Sequence, residues 1–255
     1  MLKLEKSEYR KIARLFEGVA NSKPVIFSVI DGNIDGEVFA DNDTQPLTAL
    51  VVLYDMLFFA SVSETLDYDD FYRFINERVF PSVKEGYVDF YCYADRRETE
   101  RVFGQKTEGR PVRKTFALDR ESFSKHNDWR DKIPDGCKME FIDVKFVSER
   151  GLDKNFWEPE SKRFGYALTC DGKIISECTA VFVGSGMAEV SVSTEEPYRG
   201  RGFAALTCAA FIEYCLKTGL EPNWGCWDFR TASAALAKKL GFVETSDFVV
   251  YGIKK

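Results

Sequence analysis

Two arginines and two glycines alternate at Arg199-Gly200-Arg201-Gly202, and Phe203-Ala204 follow at the head of a run of good helix formers ending near Lys217. Glycine reaches backbone angles closed to other residues and lets a ligand approach the main chain. Free N–H groups in such a turn, added to the positive end of a helix, form a receptor for an anion. Arg199 and Arg201 add charge beside it. In isolation such arginines read as solvated surface charge; next to two glycines at a helix start, the anion role is favoured. The stretch therefore reads as a pyrophosphate cradle. Ahead of it, Ala188-Glu189-Val190-Ser191-Val192-Ser193 alternates small or apolar with polar residues, as a strand does. That strand puts the Glu189 carboxylate just before the cradle, and Glu177 lies on a strand candidate before that one. Glu195 and Glu196 flank the turn and are expected to restrain it.

Arg199, Gly202 and Ala204 fill the spacing Arg-x-x-Gly-x-Ala, and Tyr198 gives a Tyr-Arg-Gly opening. This resembles the pyrophosphate loop of the GNAT superfamily of N-acetyltransferases. Ser233 to Phe242, ending in Lys-Leu-Gly-Phe, is similar to a second GNAT element, and a strand candidate at Pro222 to Asp228 lies between the two. The resemblance covers about the last half of the chain. The two-part layout and the Trp224-Gly225-Cys226 strand resemble bacterial GNAT proteins of the antibiotic self-resistance type.

The resemblance implies an α/β fold with a mixed sheet, acetyl-CoA as co-substrate, and a primary amine of a small molecule or protein as acceptor, attacked directly in a ternary complex. It implies that the main chain near Val192, Ser193 and Thr194 polarises the thioester carbonyl where the strand bulges and leaves an N–H unpaired. It implies that residues Arg199 to Ala204 hold the pyrophosphate. Phe203 reads independently as a core residue, and Tyr198 as a brace. An amine of pKa near ~10 is protonated at neutral pH, so a base is needed. Glu189 is the first candidate, since some GNAT enzymes carry a base glutamate on that strand, and Glu177 is its rival. Two departures stand out. Arg230 occupies the place of a common asparagine and is expected near a CoA phosphate. Ala237 occupies the place of a common tyrosine acid, leaving Tyr251, Cys226 or water to protonate the thiolate, if protonation needs the protein at all.

With 255 residues and 45% hydrophobic content, the chain is expected to form one or two globular domains. No apolar run is long enough to span a membrane, and Met1 to Lys6 lack a signal-peptide core. Seven cysteines without a Cys-x-x-Cys pair, mostly in apolar stretches, suggest reduced thiols in a cytoplasmic protein. One histidine, His126, gives poor support for zinc or histidine-based nucleophile chemistry, and no metal is expected. A net charge of −6 argues against a general nucleic-acid binder.

The elements that must position these residues begin with a helix at Leu4 to Gly18. Strands are expected at Pro24 to Ile30, Gly36 to Ala40, Leu47 to Tyr54, Met56 to Ser61 and Tyr87 to Tyr93, with a helix at Asp69 to Phe80. Asp119 to Lys138, punctuated by Pro134, Asp135 and Gly136, reads as a linker, and Met139 to Val147 as a strand. Arg163 to Thr169 and Lys173 to Val183 read as a hairpin around Asp171-Gly172, and Arg113 to Leu118 as a strand that contributes to the second domain. The expected domains are 1–130, an N-terminal α/β scaffold with the element order of a degenerate GNAT half, and 131–255, the acetyl-CoA-binding catalytic domain. Besides the acetyltransferase, the sequence is compatible with a catalytically silent acyl-CoA-binding or regulatory protein, given Ala237. A general nucleotide binder fits less well, because the turn lacks the Lys-Ser/Thr ending of a P-loop.

Overall fold

The computed structural model describes residues 1–84, 86–104, 107–109, 111–126, 128–152, 157 and 161–254. The chain divides into two compact units, Met1–Arg113 with Asp247–Lys255, and Lys114–Ser246.

The first unit opens with β1 (Leu2–Lys3), a 3-10 turn at Lys6–Ile12, α1 (Ala13–Phe16) and α2 (Lys23–Ile30). It continues through β2 (Glu37–Ala40), β3 (Thr48–Leu53), β4 (Met56–Ser61), α3 (Tyr68–Phe74), β5 (Tyr87–Tyr93), α4 (Arg96–Phe103) and β6 (Thr107–Gly109). The stretch Pro24 to Ile30, expected as a strand, is the helix α2. All seven of its residues are buried, and a short apolar run without alternation suits a buried helix as well as a strand. The helix expected over Asp69 to Phe80 is interrupted: α3 passes into a π turn at Ile75–Val79 and a 3-10 turn at Phe80–Ser82, where Pro81 cannot continue the ladder. Phe59 stacks on Phe71 at 3.9 Å and Phe90 on Phe103 at 4.6 Å between ring centroids, forming the centre of this core.

The second unit begins within β7 (Val112–Leu118) and holds α5 (Arg120–Ser124), β8 (Cys137–Ile142), α6 (Val144–Glu149), β9 (Gly165–Cys170), β10 (Lys173–Gly184) and β11 (Met187–Thr194). It then runs through α7 (Phe203–Thr218), β12 (Glu221–Trp227) and α8 (Thr231–Lys239) and ends within β13 (Phe242–Val249), after which β14 (Tyr251–Lys254) follows. The expected strand from Met139 to Val147 stops at Ile142, because Asp143 accepts the Phe146 N–H at 2.8 Å and starts α6. The expected linker is structured as well. Asp119 caps α5, and a 3-10 turn at Trp129–Lys132 is pinned to α7 by Glu213, which accepts from Trp129 Nε1 and from both terminal nitrogens of Arg130, each at 2.8 Å.

Among the described residues there are two seven-stranded sheets, ordered β1-β2-β3-β4-β5-β14-β6 and β8-β9-β10-β11-β12-β7-β13. The two orders correspond position by position. Each begins with four antiparallel neighbours and then adds a parallel one, β4 with β5 and β11 with β12. Each then takes in a strand from a distant part of the sequence. β14 completes the first sheet, while β7 sits between β12 and β13 in the second. This exchange puts the division between Arg113 and Lys114 rather than at 130/131, and returns the residues from Asp247 onward to the first unit.

The cysteines are not all reduced. Cys137 and Cys170 are register partners on β8 and β9 and form a disulfide. Their separation of 33 in sequence concealed a Cα–Cα distance of 4.2 Å. Cys92, Cys178, Cys208, Cys215 and Cys226 are not in disulfides, and burial pushes the thiols of Cys178 and Cys215 upward in pKa.

Candidate functional site

In the second sheet β10 and β11 present two chemically different sides. Cys178 and Val192 belong to the core packed by α7, and Ser176 meets Thr194 at 2.8 Å and Thr207 of α7 at 3.5 Å. Strand alternation sends Glu177, Thr179, Glu189, Ser191 and Ser193 to the other side. Ala167, the register partner of Glu177, is covered there by Ile142 and Val147 from the α6 end of β8.

The parallel ladder between β11 and β12 is short. It runs through Met187↔Glu221, Ala188↔Pro222 and Glu189↔Asn223, and among the described residues it goes no further, although both strands continue. From Val190 onward the β12-facing edge of β11 has no ladder partner, so a slot opens toward the C-terminal ends of both strands. The first sheet differs at the same position: β4 and β5 pair through five residues, from Met56↔Asp89 to Ala60↔Tyr93, with Phe58 stacked on Tyr91 at 4.8 Å.

The turn Arg199 to Gly202 stands at the open end of that slot. Gly200 and Gly202 have φ of +75° and +86°, the left-handed region, and a Cβ on either would meet nothing within 4 Å. Gly202 is the N-cap of α7, a 16-residue helix that Gly219 ends in the same left-handed conformation. Ala205 N–H donates to the Gly202 carbonyl at 3.0 Å. The N–H groups of Gly200, Gly202, Phe203 and Ala204 have no intramolecular acceptor among the described residues. Four donors at the positive end of a long helix suit a diphosphate. The turn is braced from behind: Arg199 Nε donates to the Thr194 carbonyl at 3.0 Å, Glu195 N–H to Ile175 O at 2.9 Å, and the Thr207 hydroxyl to Ala204 O at 3.1 Å. Arg199 thus closes the turn as well as charging it. The Arg201 guanidinium lies 5.6 Å over the Tyr198 ring. Phe203 packs against the α7 core, as a core residue would.

Glu189 is buried, 5% exposed, at the apex of the slot. The bulge expected at Val192, Ser193 and Thr194 is absent there, since those residues pair regularly with Cys178, Glu177 and Ser176. The irregularity lies opposite Glu189, between Ala180 and Val183 of β10. What frees backbone groups near Val192 is the lost β12 neighbour rather than a bulge. Burial raises the pKa of Glu177, the Ser193 hydroxyl at 3.4 Å opposes that shift, and the charge of Glu195 adds to it.

Across the slot, β12 ends in Trp227, with Phe229 stacked on it at 6.4 Å and the Arg230 guanidinium 5.7 Å over the Phe229 ring. Phe229 is 63% exposed, a side chain that sequence patterning did not single out. Ala237 is fully buried in the core, and Cys226 is also buried there. Tyr251 is buried in the core of the first unit, where its hydroxyl donates to Glu100 of α4 at 3.4 Å.

In the first sheet, the connection matching the cradle has no glycine from Val62 to Asp67. Asp67 accepts the N–H groups of Asp69 and Asp70 at 3.0 Å each, so the head of α3 carries its own anions.

A sequence model of the GNAT acetyltransferase family matches residues 13–251. The chain belongs to that family. The match takes in both units and is not confined to the C-terminal half. The uncharacterised N-acetyltransferase YdfB of Bacillus subtilis (strain 168) is 27% identical, with 97% of each chain covered. The GCN5-related N-acetyltransferase-like protein from Streptococcus suis 89/1591 has a similar fold, with a TM-score of 0.68 and 22% identity, covering 97% of this chain and 99% of that one. A tandem GNAT protein from the clavulanic acid biosynthesis pathway is also similar in fold, with a TM-score of 0.64 and 11% identity over 99% and 97% of the two chains. Two GNAT-type sheets in one chain are therefore a plan this protein shares with other solved structures. Among the described residues, no group of three or more His, Cys, Asp or Glu side chains could hold a metal, and no helix is long and apolar enough to cross a membrane.

Proposed function

We propose that the second unit transfers an acetyl group from acetyl-CoA to a primary amine by direct attack in a ternary complex. The observation that carries this reading is the set of four unpartnered N–H groups, those of Gly200, Gly202, Phe203 and Ala204, at the mouth of the β11/β12 slot. Acetyl-CoA supplies the activated thioester. The cradle residues and Arg201 bind its pyrophosphate, Arg230 and Phe229 flank it from the β12 side, and the open edge of Val192, Ser193 and Thr194 orients the acyl arm. Holding both reactants together supplies much of the rate enhancement. Glu189 accepts a proton from the incoming ammonium. As the amine nitrogen bonds to the carbonyl carbon and the C–S bond breaks, the thiolate leaves. Of the two protons the ammonium loses, one ends on sulfur and one in solvent. With Ala237 buried and Tyr251 in the other unit, water protonates the thiolate, a fair leaving group. The first unit is the scaffold, its slot paired shut and its helix head capped by Asp67. The reaction is assigned to the cytoplasm.

The same Ala237 supports a second reading, a silent acyl-CoA-binding protein. Thiol release from acetyl-CoA across a panel of amines separates the two. The panel includes an aminoglycoside, the acceptor type a self-resistance enzyme would use. Calorimetric CoA binding without thiol release on any amine would favour the silent protein, and absence of CoA binding would remove both.

A further inference from the structure

A cavity of about 390 Å³ lies between α6 and the polar side of β10 and β11. Its apolar wall includes Phe146, Leu152, Trp157 and Ile174, and its polar wall includes Glu177, Thr179, Ser193 and Glu195, with Arg163 also lining it. We infer that this cavity is the acceptor site and that it takes a small primary monoamine with an apolar body, the ammonium held by Glu177. The inference rests on the acetyl-transfer reading for what happens to that amine, but not for its binding.

Three observations lead to the cavity. It is on the sheet side that carries Glu189, Ser191 and Ser193, opposite the α7 side, so an occupant reaches β11 without crossing the phosphate cradle. Its volume lies within the range of small-ligand sites, roughly 300–1,000 Å³. Its walls are segregated, with Phe146 of α6, Leu152 and Trp157 on the apolar side and the carboxylates of Glu177 and Glu195 with the hydroxyls of Ser176, Thr179 and Ser193 on the polar side.

The chemistry of the walls narrows the occupant. Glu177 is half-buried, and the neighbouring Glu195 adds negative charge, so a cation entering here relieves a like-charge pair. Ser193 holds the Glu177 carboxylate from the facing strand at 3.4 Å, which aims it into the cavity beside β11. A carboxylate two bonds from the amine, as in an α-amino acid, would face these same glutamates. A polyamine or aminoglycoside brings several ammonium groups, and beyond Glu177 and Glu195 the described wall offers them only the hydroxyls of Ser176, Thr179 and Ser193, apolar surface that desolvates them, and the like-charged Arg163. A hydrocarbon or aryl body fits that surface.

The test uses the full chain and four amines: 2-phenylethylamine, propylamine, spermidine and phenylalanine. Binding is measured by calorimetry in the presence of CoA, and KM and kcat with acetyl-CoA. The expected result is tightest binding and lowest KM for 2-phenylethylamine. Glu177→Gln should weaken its binding roughly tenfold or more, the scale of a lost charged hydrogen bond. Affinity for CoA alone should be unchanged in the same variant. Trp157→Ala should raise KM for 2-phenylethylamine more than for propylamine, a difference that loss of fold would not produce. Preference for spermidine or phenylalanine, or amine binding unmoved by both variants, would overturn the inference. If 2-phenylethylamine binds in a Glu177-dependent way but no acetyl transfer follows, the acceptor assignment holds and the catalytic reading falls.

Discussion

Glu189 and Asn223 are the last register pair between β11 and β12, and beyond them the two strands part. Their counterparts in the first sheet keep pairing through to Ala60 and Tyr93. One sheet therefore opens between its parallel strands and the other does not, and a buried carboxylate stands where the opening begins.

Gly202 and Gly219 make a matched pair at the two ends of α7, both left-handed and both with open space where a Cβ would go. Replacing either by alanine costs a similar backbone strain, ~1–2 kcal/mol. Gly202→Ala should in addition weaken CoA binding by an order of magnitude or more, because the strained backbone there carries the N–H groups assigned to the pyrophosphate. Gly219→Ala should leave affinity unchanged. Calorimetry on the two folded variants checks this, and equal CoA affinities would remove the cradle assignment.

One CoA should bind per chain. The head of α3 presents Asp67, Asp69 and Asp70 where α7 presents free N–H groups. Hydrogen exchange should show ligand-dependent protection over Val190 to Leu206 and near Trp227 to Ser233. Protection confined to residues 1–113, or a stoichiometry of two, would contradict the division of labour between the units.

Glu189→Gln should keep acetyl-CoA affinity and lower the rate at neutral pH by on the order of a hundredfold, the scale of a lost general base. Raising the pH deprotonates more amine in solution and should recover part of the loss. A variant with wild-type rate and pH profile would transfer the base role to Glu177 or to water.

Glu213 provides a stability test away from the chemistry. The Arg130 guanidinium, with help from Lys217 and Trp129 Nε1, lowers its carboxyl pKa to about 2. That is below the value for an unfolded glutamate, ~4.3, so the stabilisation is complete above that pH and fades as pH falls toward about 2. Glu213→Gln should cost about 1–2 kcal/mol at pH 7, allowing for solvent screening, and roughly half of that near pH 3. Urea unfolding of both proteins across that range measures the difference, and a gap that stays constant with pH would contradict the assignment.

The glycine turn before α7 was legible in sequence because its geometry is local: two glycines, a strand before and a helix after, all within some twenty residues. Hairpin geometry at Asp171-Gly172 was legible for the same reason, with φ of +50° and +77° at those two residues. What depends on distant pairing was not. Cys137 and Cys170 meet only because β8 and β9 lie side by side, and Tyr251 leaves the second unit only because β14 joins the first sheet. Pro24 to Ile30 misled because a uniformly buried helix loses the 3.6-residue alternation that would mark it. The slot was also invisible, since it is a loss of pairing between two strands that each look regular.

The passage of β14 into the first sheet has a consequence for biosynthesis. Residues 1–113 emerge first, but the strand that separates β5 from β6 is made roughly 140 residues later, on the order of ten seconds at ordinary elongation rates. Until then the nascent half carries an unfilled edge on β5 that invites foreign strands. Neither half can be excised as a free-standing module by cutting at the middle of the sequence. A fragment ending near residue 250 would leave the second unit nearly whole and undo the first.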